Sequence, residues 1–128
     1  MTQVHAVVWL DHREAHIAAF SLGKSSVIEI HSDLGGRRIH RKSRQIGSGK
    51  AADDHHYFDE IASALHDIRL VLLVGPGNAK TALLTFLESR HPEAALKVVG
   101  VETMDHPTDG QLLAHARSYF AAADQLET

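Results

Sequence analysis

The stretch Leu70 to Ser89, LVLLVGPGNAKTALLTFLES, constrains this chain more than any other. Leu70 to Val74 is an uninterrupted apolar run of the length of a buried strand. Gly75, Pro76 and Gly77 end it. Asn78 is placed to cap a helix that carries Leu83, Leu84 and Leu87 on one face. A strand, a tight glycine turn and a helix in that order form the first half of a parallel βαβ unit. The remaining elements are expected to pack around it.

The chain ahead of this unit starts with strands. Val4 to Leu10, VHAVVWL, is nearly all apolar and rich in β-formers, which predicts a central strand buried on both faces. Glu14 to Leu22 partly alternates, with Ala15, Ile17 and Ala19 on one parity. Gly23-Lys24-Ser25 reads as a turn and Val27 to His31 as a short third strand. Connections this short favour antiparallel neighbours. Asp33 to Ala52 differs: it has four glycines, little apolar content and no periodicity. It reads as a long, exposed, mobile loop at 33–52. Asp53 or Asp54 is then expected to cap a helix running to about His66, with Tyr57, Phe58, Ile61, Ala62 and Leu65 as its apolar stripe.

After the strand–turn–helix, a helix stop is expected before Pro92. Leu96 to Val101 reads as a further strand. Thr108 and Gln111 have the spacing of a capping box, with Thr108 at N-cap and Gln111 at N3. The helix that follows carries Leu112, Leu113, Ala116, Tyr119 and Phe120. Three antiparallel strands followed by alternating helices and strands predict a mixed five-strand sheet of order 3-2-1-4-5 with helices on both faces, an α/β fold of ribonuclease-H-like arrangement. Trp9, Phe20, Phe58 and Phe120 read as core, whereas Phe86 falls off the main helical stripe.

Composition bounds the function classes. A chain of 128 residues, 44% of them hydrophobic, suits a single α/β domain over 1–123, with 124–128 as a frayed tail. There is no cysteine, so disulfides, thiolate zinc sites and cysteine nucleophiles are excluded. No apolar run approaches the roughly 20 residues of a membrane helix. The opening MTQVHAVVWLDHRE has no basic leader, so no secretory signal is read there. A cytoplasmic protein without membrane partners is the expectation.

The strings HYFDEIASAL at 56–65 and LVLLVGPGNAKTALLTFLESR at 70–90 are similar to the central domain of Pelota and of the archaeal and eukaryotic class-1 release factors. The sharpest part is the turn Gly75, Pro76, Gly77 with Lys80. The resemblance covers about Val4 to Ala122. The chain resembles a stand-alone version of that domain, of the sort called a translational machinery protein in bacteria. The resemblance implies a ribosomal or tRNA setting. It carries over no catalysis: release factors place Gly-Gly-Gln in the loop before the first helix, and here that loop holds Gly35-Gly36-Arg37. Pelota-type proteins lack the tripeptide as well, which implies rescue or binding roles.

The net charge of −3 conceals an uneven distribution. Arg37, Arg38, Arg41, Lys42, Arg44 and Lys50 are six of the thirteen Lys and Arg, and no acid lies between Asp33 and Asp53. A basic arm bearing glycines and no aromatic suits contact with RNA phosphates rather than base stacking. The expected partners are rRNA, tRNA or the ribosome. Gly75, Gly77, Asn78 and Lys80 form a possible anion-binding turn, since free N–H groups open a helix there. The spacing is too short for a P-loop, and a structural turn is the preferred reading.

An enzymatic alternative rests on other residues. Asp11, Glu14, Glu102, Asp105 and Asp109 are candidate nuclease carboxylates, but none sits in a recognisable pattern, and Asp11 is more simply a turn residue. Hydrolysis of peptidyl-tRNA or of a nucleic-acid ester would need a positioned glutamine or a ligand cluster. Eleven histidines are many for this length. Yet His12 and His16 would lie roughly 13 Å apart on an extended strand, too far for one metal. No metal ligand set, catalytic residue or cofactor is therefore expected. A third class is a protein-interaction module, in which the edge strand Val27–His31 pairs with a partner strand or forms a homodimer.

Overall fold

The computed structural model describes residues 5–21, 23–32 and 46–127, with the side chains of 46–54 and 122–127 left aside. The elements are β1 (His5–Leu10), β2 (Glu14–Ser21), β3 (Lys24–His31), α1 (Ile46–Ala64), β4 (Leu70–Gly75), α2 (Ala79–Arg90), α3 (Pro92–Ala95), β5 (Val98–Thr103) and α4 (Asp109–Glu127). The sheet order is β3-β2-β1-β4-β5. β1 pairs antiparallel with β2 and β2 with β3, whereas β4 runs parallel to β1 and to β5. The mixed α/β fold and its strand order agree with the sequence expectation.

β1 is buried along its whole length, as an apolar strand between two neighbours should be. Its alternate side chains serve two cores. Ala6, Val8 and Leu10 join Ile17, Val71 and Leu73 beneath Tyr57, Ile61 and Leu65 of α1 and Leu83, Phe86 and Leu87 of α2. Val7 and Trp9 join Ala18, Leu72 and Val74 beneath Leu112, Ala116 and Phe120 of α4. The result is a sheet between two helical layers. Phe86 is part of the first core, 7% exposed, although it falls off the main stripe of its helix.

Several boundaries differ from those read in the sequence. α1 begins at Ile46, so residues 46–52 are its first turns rather than the end of a loop. Lys50, Ala51 and Ala52 are good helix formers, and a helix anchored at Tyr57 to Leu65 extends backwards through them despite Gly47 and Gly49. Asp53 and Asp54 therefore lie inside the helix and not at its cap. α4 continues to Glu127, into the tail expected to fray, through the helix-favouring run Ala121-Ala122-Ala123. β3 begins at Lys24 because Gly23, at φ 72°, lets the chain turn so that Lys24 pairs with Ser21. β5 starts two residues later than expected. Leu96 and Lys97 are taken up in closing α3, donating backbone N–H groups to Pro92 O and Ala94 O.

Candidate functional site

β1, β3, β4 and β5 all point the same way, so their carboxyl ends share one edge of the sheet. In open α/β sheets this is the edge where ligands bind. It is built here from the β1–β2 turn, His31 and Ser32 after β3, the Gly75–Asn78 turn, and the segment from Met104 to Asp109 before α4.

The β1–β2 turn is held by Asp11. Its Oδ1 accepts hydrogen bonds from the backbone N–H groups of Arg13 (2.8 Å) and Glu14 (3.0 Å). That is the turn role expected for Asp11, and Tyr57 Oη donates to the Asp11 carbonyl at 2.9 Å. Glu102, another of the candidate carboxylates, lies 2.9 Å from His115 on α4.

Gly75 is fixed by a close approach of backbones. A Cβ there would lie 2.3 Å from the Leu10 carbonyl oxygen. Asn78 occupies the N-cap position of α2, but its side chain does not cap the helix. The Asn78 Oδ1 instead lies 3.3 Å from His12 Nε2, which ties the α2 turn to the β1–β2 turn. Lys80 is buried, and its Nζ donates to the Gly77 carbonyl. The ammonium is thus engaged inside the turn. Of the expected RNA-contacting residues, Arg37, Arg38, Arg41, Lys42 and Arg44 lie outside the described residues, and Lys50 lies in α1 without a described side chain.

A second group forms around residues that the sequence reading names only singly, Glu14, His16 and Asp109. In the β2–β3 hairpin, Glu14 pairs with His31 and His16 with Glu29, so histidines and carboxylates alternate on one face. The capping box brings Asp109 onto the same face. Thr108 Oγ1 accepts from the Gln111 N–H at 3.1 Å, and Gln111 Oε1 accepts from the Thr108 N–H at 2.8 Å. His16 Nδ1 then lies 3.3 Å from Asp109 Oδ1 and 3.8 Å from Glu29 Oε2, while His16 Nε2 is 3.6 Å from Glu14 Oε2. His106 Nε2 lies 3.5 Å from Glu14 Oε2. Asp11, Arg13, Glu14, His31 and His106 line an open hollow of about 330 Å³ beside this group. The sequence did contain a signal for it. A turn at Gly23 that pairs Ser21 with Lys24 places 16 opposite 29.

Comparison with known proteins supports a Pelota-like, release-factor-like domain. The chain is 31% identical over 100 residues to a Pelota homologue from Archaeoglobus fulgidus; the match covers 75% of this chain and 26% of that protein. Among solved structures, Pelota of A. fulgidus superposes with a TM-score of 0.62 at 19% identity, covering 90% of this chain and 31% of that one. Pelota of Thermoplasma acidophilum gives 0.59 at 20% identity over 91% and 36%. The archaeal translation termination factor aRF1 gives 0.59 at 15% identity over 97% and 39%. These structural likenesses establish the fold. The chain spans about a quarter to two fifths of the length of these relatives. No family model matches it.

Proposed function

We propose that this is a translation-related, cytoplasmic accessory domain that associates with the ribosome or tRNA and hydrolyses nothing. The single observation that carries the reading is the 31% identity to a Pelota homologue over 75% of the chain. The charge distribution supports it: Arg37, Arg38, Arg41, Lys42, Arg44 and Lys50 lie together without an acid among them. A basic segment of this kind binds RNA by releasing counterions from phosphates. β3 ends at His31 on the carboxyl edge, so the framework supports presentation of that segment from there. Gly35-Gly36-Arg37 stands where release factors carry their hydrolytic glutamine, which supports a binding role over peptidyl-tRNA hydrolysis.

Gradient co-sedimentation with ribosomes tests the proposal. The chain is expected to travel with ribosomal particles, and replacing Arg37, Arg38, Arg41, Lys42 and Arg44 by glutamine is expected to release it. Unchanged association of that variant would sink the role of the basic segment. Peptide release by the chain on loaded ribosomes would sink the non-enzymatic reading.

A second reading, strand addition or homodimerisation at β3, is favoured by one observation. β3 ends the sheet and leaves Ile28 45% exposed. A monomer in sedimentation equilibrium at high protein concentration would count against its dimer form.

A further inference from the structure

We propose that His16, Glu29 and Asp109 form a binding site for one first-row divalent cation of the zinc class. Their ligand atoms, one nitrogen and two carboxylate oxygens, all lie within 4.8 Å of one another. Donors around a single tetrahedral ion with bonds near 2.0–2.2 Å stand about 3.4 Å apart. The His16 Nδ1 to Asp109 Oδ1 separation is 3.3 Å and that to Glu29 Oε2 is 3.8 Å. His16 Nδ1 thus stands at close to ligand spacing from each of the two carboxylate oxygens.

The state of His16 Nδ1 is the second observation. This atom is buried and makes no hydrogen bond among the described residues, although the Asp109 oxygen is at 3.3 Å. Its nearest acceptors are the Asp109 and Glu29 carboxylates, at 3.3 and 3.8 Å, so the nitrogen and the two oxygens converge on one point. A cation satisfies the nitrogen and both oxygens together.

The surroundings orient the ligands toward that point. The Glu14 carboxylate lies 3.6 Å from His16 Nε2, so the other ring nitrogen is the one that faces Glu29 and Asp109. His31 Nε2 lies 3.3 Å from Glu29 Oε1, so that oxygen is occupied while Oε2 faces His16. Asp109 comes from the opposite layer, set by the Thr108–Gln111 capping box. The three ligands therefore come from β2, β3 and α4.

The donor set selects the ion class. Mixed imidazole and carboxylate donors without thiolate suit Zn²⁺, Co²⁺ or Ni²⁺, whereas Mg²⁺ and Ca²⁺ prefer oxygen alone. Three protein donors leave a fourth position for solvent, and the half-exposed Glu29 and Asp109 side chains keep it accessible.

Titration calorimetry of the intact chain with Zn²⁺ in a non-chelating buffer, with Co²⁺ absorption as a second readout, tests the site. One ion per chain is expected. Glu29→Gln and Asp109→Asn, both exposed and near-isosteric, are each expected to weaken binding on the order of 10- to 100-fold. Circular dichroism checks that both variants fold. His115→Ala removes a histidine–carboxylate pair elsewhere and is expected to change nothing. Mg²⁺ at about 100-fold excess is expected not to compete. Wild-type affinity in both carboxylate variants, equal loss in His115→Ala, or displacement by Mg²⁺ would overturn the proposal. The first two results would point to adventitious binding by surface histidines.

Discussion

The ring of His106 lies against the indole of Trp9, with centroids 4.1 Å apart and planes inclined by 49°. The indole Nε1 donates to the carbonyls of Met104 and Asp105, each at 3.1 Å. A side chain from the fully buried β1 thus secures the connection between β5 and α4, the segment that aims Asp109. Trp9→Phe keeps an aromatic ring but leaves both carbonyls without this donor. The expected loss is about 1–3 kcal/mol of stability, read as a lower urea midpoint with an unchanged slope. Zn²⁺ affinity should fall in parallel, because Asp109 loses its tether. Stability equal to wild type would mean that the indole N–H contributes nothing to holding the connection.

Gly75 tolerates no side chain. A Cβ added here would run into the Leu10 carbonyl, which is backbone and not the end of a flexible side chain, so it cannot simply move aside. Separating β1 from β4 would disturb the parallel pairing between the two buried central strands. Gly75→Ala is expected to cost about 3 kcal/mol, measured by chemical denaturation. Gly77 has open space around the corresponding Cβ position, so Gly77→Ala is the matched control, with little change expected.

The capping box gives a prediction in two parts. Thr108→Ala removes an acceptor from the first turn of α4 and is expected to cost about 0.5–2 kcal/mol. Gln111→Ala removes the reciprocal bond to the Thr108 N–H. The two losses should be coupled in a double-mutant cycle, since each side chain positions the other. Strict additivity would show that the bonds form independently.

Local patterns carried most of the fold. The apolar run of β4, the all-apolar β1 and the spacing of Thr108 and Gln111 each announce their structure within a few residues. Boundaries were harder where two tendencies compete. Gly47 and Gly49 read as loop, yet helix propagation from the packed Tyr57–Leu65 face incorporates them. Leu96 and Lys97 read as strand, yet closing α3 consumes them, and Lys97 Nζ reaches the carbonyls of Leu65 and His66 at 2.8 and 3.1 Å.

The His16 group was illegible for a different reason. Along the strand, His12 and His16 are too far apart to share an ion, and that test looks only within one element. His16 meets Glu29 through hairpin register and Asp109 through packing of α4 on the sheet. The first relation can be counted from the turn at Gly23. The second depends on where a helix some 90 residues later is set down, which no spacing in the sequence records.

The basic segment is best tested through salt, because the proposal assigns it phosphate contacts and nothing else. Each phosphate neutralised contributes about 0.7–0.9 to the slope of log affinity against log salt concentration. If Arg37, Arg38, Arg41, Lys42 and Arg44 each contact one phosphate, their replacement by glutamine should reduce the slope by about 4. The affinities of wild type and variant should then converge as salt rises, since screening removes the same interactions as the substitutions. Filter binding of a tRNA or an rRNA fragment across about 50–200 mM salt gives both slopes. His115→Ala serves as the control outside the segment and should leave the slope almost unchanged. A five-residue variant that binds more weakly with the wild-type slope would place those residues in specific, non-phosphate contacts. A variant that matches wild type in both affinity and slope would transfer RNA recognition to the folded framework.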